Sequence, residues 1–111
     1  MTSSTATSST ASLAEVDVEL FTFVERYATN LVRWDLLLYF GYHPDAKMTP
    51  AELAKVMRRT VKATTKELDD LSYLRVLSRH YLQGKVTYQL TRRGPARRAV
   101  MRLAAFASKN K

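Results

Sequence analysis

The side chains able to do strong polar chemistry crowd into one part of this chain, and they are cations. Arg58, Arg59, Lys62 and Lys66 fall close together, with hydroxyls at Thr49, Thr60 and Thr65 around them. Residues 47–111 hold sixteen Lys and Arg against four carboxylates, a net +12, whereas residues 1–46 hold two against six, a net −4. Such an asymmetry is the footprint of a polyanionic partner. The plainer alternative is a surface kept soluble by positive charge. The same inventory argues against catalysis. There is no Cys, which removes disulfides, thiolate metal ligands and thiol nucleophiles. The two histidines, His43 and His80, stand far apart with no carboxylate at ligand spacing, so neither a metal site nor a cofactor is expected. No glycine-rich loop is present to cradle a phosphate, and no nucleophile turn surrounds a serine. The expectation is a binding protein rather than an enzyme.

The elements that must position these cations can be read from periodicity. At 111 residues the chain suits one domain. Residues 1–12 form an uncharged Ser/Thr-rich tail, expected to be disordered and lacking the marks of a transit or secretory peptide. Residues 13–111 are then the folded domain. No apolar run is long enough for a membrane span. Ser12-Leu13-Ala14-Glu15 has capping-box spacing. After it Leu13, Val16, Leu20, Val24, Tyr27 and Leu31 recur at three- and four-residue steps on one helical face, which Phe21 and Phe23 broaden. Asn30 can cap a second helix through Leu31, Trp34, Leu37, Leu38 and Gly41; one unbroken helix over 13–43 is the alternative. Gly41 to Lys47, around His43-Pro44-Asp45, reads as a loop.

Thr49-Pro50-Ala51-Glu52 is a second capping box with Pro at the first helical position. Leu53, Ala54, Val56 and Met57 supply the apolar face of that short helix. Thr60 caps the next one, where Val61, Thr64, Leu68 and Leu71 make a stripe and Lys62, Thr65 and Lys66 lie outside it. The period then changes to two. Val86, Tyr88 and Leu90 alternate with polar residues, an extended run from Arg75 to Leu82 precedes them, and Gln83-Gly84 joins the pair as a hairpin. Val76 and Leu77 are both apolar, which leaves the inner face of the first strand open. Pro95 opens a final helix through Val100, Met101, Leu103, Ala104 and Phe106.

Helices, a two-stranded hairpin and a closing helix, in that order, resemble the winged helix-turn-helix superfamily. Thr49-x-x-Glu52-Leu53-Ala54 is similar to the opening of its second helix, and Thr60 to Leu71 to the recognition helix that follows. Tyr88-x-Leu90-Thr91-x-x-Gly94 resembles the end of the wing in MarR- and PadR-like regulators. The likeness covers residues 31–107. Tyr73 stands where the family often has Gly before the wing, and the hairpin is short. The resemblance implies a mainly α fold with a small β-hairpin, acting as a homodimeric transcription regulator on double-stranded DNA in the cytoplasm, associated with the nucleoid. Its recognition helix, about 60–72, enters the major groove, and its wing, about 75–90, lies on the flanking backbone.

Carried over by position, Lys62, Ala63, Thr65 and Lys66 face base edges, Thr49, Arg58 and Arg59 hold phosphates at helix starts, and Thr60 belongs to the same DNA-binding set. Arg79, His80 and Lys85 line the wing. The expected dimer interface is Leu13, Val16, Leu20, Phe21, Val24 and Tyr27, joined by Val100, Leu103 and Phe106 of the last helix. The aromatic cluster Trp34, Tyr39, Phe40 and Tyr42 reads first as core packing, with a small-molecule effector pocket as the sharper alternative. Arg92, Arg93, Arg97, Arg98 and Arg102 either extend the basic surface or pair with the acidic N-terminal helix. The alternative function is an interaction module that uses the basic face for RNA, or for a protein of the transcription or replication machinery.

Overall fold

The computed structural model describes residues 18–109. The expected tail at 1–12, the capping box at Ser12–Glu15 and the interface positions Leu13 and Val16 lie outside the described residues. Helix α1 is seen over 18–27. Then come α2 (Leu31–Tyr42), α3 (Pro50–Met57), α4 (Val61–Tyr73), β1 (Leu77–Leu82), β2 (Lys85–Leu90) and α5 (Pro95–Lys109). This is a winged helix. Residues 28–30 are not helical, so α1 and α2 are separate, and the Asn30 side chain caps α2 by accepting from the Arg33 N–H at 2.8 Å. Because the break turns the chain, Leu31 leaves the α1 stripe and is exposed.

Each start of the helix-turn-helix pair is built locally. Thr49 Oγ1 accepts from the Glu52 N–H at 3.2 Å while Glu52 Oε1 accepts from the Thr49 N–H at 2.9 Å, completing the capping box. The Thr49 N–H, and after it the Thr49 hydroxyl, hold the Glu52 carboxyl below its ordinary pKa. Thr60 Oγ1 accepts from the Ala63 N–H at 3.1 Å and starts α4. Between the helices Arg58 takes the left-handed conformation, φ 57°, that ends α3. Leu53 and Ala54 are buried as expected, but Val56 is exposed. On α4 the buried stripe is Thr64, Leu68 and Leu71 together with Glu67, and Val61 lies half exposed at its edge.

Leu36, Leu37 and Phe40 of α2, Leu53, Leu68, Leu71, Val76, Leu77, Tyr88, Leu90, Val100 and Leu103 form one buried core. Val76 and Leu77 both enter it, because Arg75 adopts positive φ (66°) and turns the chain before β1. That turn falls two residues after Tyr73, which stays exposed at the end of α4. The strands pair antiparallel with Leu77 opposite Leu90 and Leu82 opposite Lys85. A bridge not foreseen in the sequence joins Met48 to Tyr88, with reciprocal N–H···O bonds of 3.0 and 2.8 Å, and ties the start of α3 to the wing. Gly41 is not a loop residue. It lies within α2 where the backbone of α5 passes, so close that a Cβ there would sit 2.7 Å from the Val100 carbonyl oxygen.

Candidate nucleic-acid interface

The N-terminal ends of α3 and α4 and the start of β2 meet in one open groove. Thr49, Pro50, Ala51, Val61, Thr65, Lys85 and Val86 line it, with a volume of about 420 Å³. The Met48–Tyr88 bridge fixes the hairpin against α3 at this place. Two of its walls therefore come from segments whose local caps were legible in sequence, and the third depends on a long-range pairing.

The side chains around the groove differ in what they have free to offer. Lys62 is exposed on the first turn of α4 and has no ion-pair partner among the described residues. Thr65 donates its hydroxyl proton to the Val61 carbonyl at 2.7 Å, which leaves its methyl and the acceptor side of its oxygen. Ala63 is half buried beside them. Lys66 is exposed but engaged, at 3.2 Å from Asp70 and 3.6 Å from Glu67. The hydrogen bond to Asp70 holds its ammonium above its ordinary pKa. Arg58 is exposed at the turn. Arg59 instead reaches back to α2 and pairs with Asp35 at 2.6 Å. On the wing, His80 and Lys85 are exposed, whereas Arg79 lies 4.0 Å from Asp69 and over the Tyr81 ring.

A polar network that the sequence reading missed lies behind α4. The Arg33 guanidinium is buried and donates to Glu67 Oε1 at 3.0 Å, to Asp70 at 3.3 Å and to the Tyr27 carbonyl at 3.4 Å. Asn30 Nδ2 donates to the other Glu67 oxygen at 3.0 Å. This cluster fixes α4 to the α1–α2 corner through charge-assisted bonds. On the hairpin side, the buried Tyr88 hydroxyl donates to Asp69, and burial with that acceptor pushes its pKa up to about 12. A faint signal existed in the sequence: Glu67 falls on the buried stripe of α4, and a carboxylate there needs a partner.

The remaining expectations divide as follows. Leu20 is buried, and Val24 and Tyr27 are half buried, against the chain's own core, which also takes Val100 and Leu103. Phe21 is 68% exposed and Phe106 is half exposed. They flank an apolar groove of about 380 Å³ with Leu20, Val24, Trp34 and Leu103. Of the aromatic cluster, Phe40 is core, Tyr39 packs edge-on against it at 5.7 Å, and Tyr42 is exposed. Arg102 pairs with Glu19 of α1 at 3.0 Å, while Arg97 binds the Asp45 carboxylate and two loop carbonyls. No helix among the described residues is long and apolar enough to cross a membrane.

No family model matches the chain, and no curated protein matches it. Five solved chains do. Among them is the YusO protein from Bacillus subtilis, known from an X-ray crystal structure, with a TM-score of 0.58 and 17% identity. The match covers 97% of this chain and 78% of that one. At that identity the likeness establishes the fold.

Proposed function

We propose that this winged-helix chain is a sequence-specific binder of double-stranded DNA that regulates transcription as a homodimer. In this reading α4 enters the major groove and the β1–β2 wing lies on the flanking backbone. The observation that carries it is the groove shared by Thr49, Val61, Thr65 and Lys85. It brings two capped helix starts, the exposed Lys85 and the wing to one surface, where the helix dipoles and the cation favour phosphate. Lys62, free and exposed beside it, suits the acceptor edge of guanine, and the Thr65 methyl suits apolar contact with the methyl of thymine. The homodimer is supported by the exposed Phe21 and the apolar groove next to it, a surface of the kind that monomers seldom leave open.

Selection of bound sequences from a random duplex library, followed by competition at physiological salt, tests this. The chosen duplex is expected to bind at least roughly a thousandfold tighter than random competitor. The slope of log K against log salt is expected near −6 to −10 for a two-subunit complex, at roughly −0.9 per neutralised phosphate. Equal binding of every duplex and of RNA would instead mark a general interaction module. A flat salt dependence would remove nucleic acid as the partner.

A further inference from the structure

The hairpin ends in residues that a merely solvated tip has no reason to show. Tyr81 is 73% exposed and Leu82 is 58% exposed, and neither joins the core. Both precede a two-residue turn in which Gln83 and Gly84 have positive φ, 51° and 77°. That geometry continues the twist of paired strands and keeps the tip short and stiff. Leu82 pairs with Lys85 and Tyr81 with Val86, so Leu82 is the last apolar side chain before the turn. The hairpin itself carries charge of one sign, with Asp69 of α4 lying 4.0 Å from Arg79. No Asp or Glu occurs from Leu71 to Lys111. Arg79 lies 5.8 Å over the Tyr81 ring, and His80 and Lys85 are exposed.

We propose that Leu82, which shares its face of the hairpin with Lys85 and is opposite in direction to Tyr81, is an apolar wedge which the wing drives into the minor groove so that one base step is partly unstacked and the duplex bends. The inference rests on the DNA-binding reading above. Cations alone serve a backbone contact; they give no role to a large apolar group at the pair that flanks the turn. His80 and Lys85 on the Leu82 face, with Arg79 on the other, put cations on both sides of an apolar point, which matches a groove about 6 Å wide with phosphates on both edges. Apolar side chains inserted this way kink duplexes by roughly 20–90°. Pyrimidine–purine steps kink most easily, so the wedge selects such a step at a place where no hydrogen bond reads a base.

The test uses the duplex selected above, carrying a dye at each end, and reads the bend by energy transfer. Wild type is expected to raise transfer on binding. Leu82→Ala, and Leu82→Ala with Tyr81→Ala, are expected to lose at least half of that rise while keeping the salt slope and the melting temperature, because both side chains are exposed. On a duplex already opened by a mismatch at the contacted step, the affinity deficit of Leu82→Ala is expected to shrink from roughly tenfold toward none. A straight duplex under wild type, or an undiminished bend under Leu82→Ala, overturns the wedge. So does loss of self-association in Leu82→Ala by sedimentation, which would assign the tip to a contact between copies. Absence of any saturable, salt-dependent duplex binding by wild type overturns the DNA reading itself, and is distinguishable from all of these.

Discussion

Arg33 and Glu67 form a buried ion pair, 2.9 Å apart, between α2 and the middle of α4. Nearly all water is excluded from both side chains, so each depends on the other, with Asn30 and Asp70 taking up the remaining bonds. Removing one partner strands the other charge. Arg33→Ala is expected to cost about 3–5 kcal/mol. Replacing both residues by Met is expected to recover much of it. Urea unfolding of the single and double variants checks this; an Arg33→Ala loss under about 1 kcal/mol would show that the cluster is not a structural joint.

The helix α2 meets α5 at Gly41. A methyl group there would fall 2.5 Å from the Ala104 Cβ and 2.7 Å from the Val100 carbonyl oxygen. Ala ordinarily favours a helix over Gly by about 1 kcal/mol. Here overpacking against backbone wins, and Gly41→Ala is expected to destabilise by about 1–3 kcal/mol. Adding Ala104→Gly relieves one clash and leaves the carbonyl, so recovery is expected to be partial. Thermal unfolding of the two variants reads the difference.

Tyr88 makes stability depend on alkaline pH. Its hydroxyl ionises near 10 in the unfolded chain and only at about 12 in the fold. Its contribution is therefore complete below pH 10 and is lost as the pH rises through 10 toward 12. Wild type is expected to lose more stability than Tyr88→Phe between pH 9 and 11. Denaturant midpoints across that range check this, and parallel curves for the two proteins would reject it.

The cations of the interface fall into separable classes. Lys62→Ala is expected to change which sequence is preferred, at about 1–3 kcal/mol on the favoured duplex. Lys85→Ala should weaken all duplexes alike and lower the salt slope by about one per protomer. Arg59, engaged by Asp35 at 2.6 Å, should lower the slope less than Lys85 does. Fluorescence titrations at three salt concentrations distinguish the classes.

Self-association is best tested at Phe21, since Leu20 and Val24 contribute to the chain's own core cluster. Phe21→Glu is expected to leave the fold intact and to weaken the dimer by at least about 1.5–3 kcal/mol, the burial value of one large apolar side chain per subunit. Sedimentation of wild type and variant decides it; a monomeric wild type would reject the homodimer.

Much of the fold was written in short-range pattern. Thr49 and Thr60 satisfy amide groups three residues away, Gln83-Gly84 closes its own hairpin, and the stripe of Thr64, Leu68 and Leu71 follows from 3.6-residue periodicity. Such features involve partners within one turn or one strand pair, so sequence alone determines them. The tertiary structure decided which charges remain free. Arg33 meets Glu67 from 34 residues away, and Arg59 meets Asp35 from 24. One arginine became a buried joint and the other a tether, while Lys62 stayed exposed with no ion-pair partner among the described residues. Nothing in a residue's own neighbourhood distinguishes these fates. They depend on which carboxylate the packing of α2 against α4 brings within hydrogen-bonding distance, and on how little water is left between them.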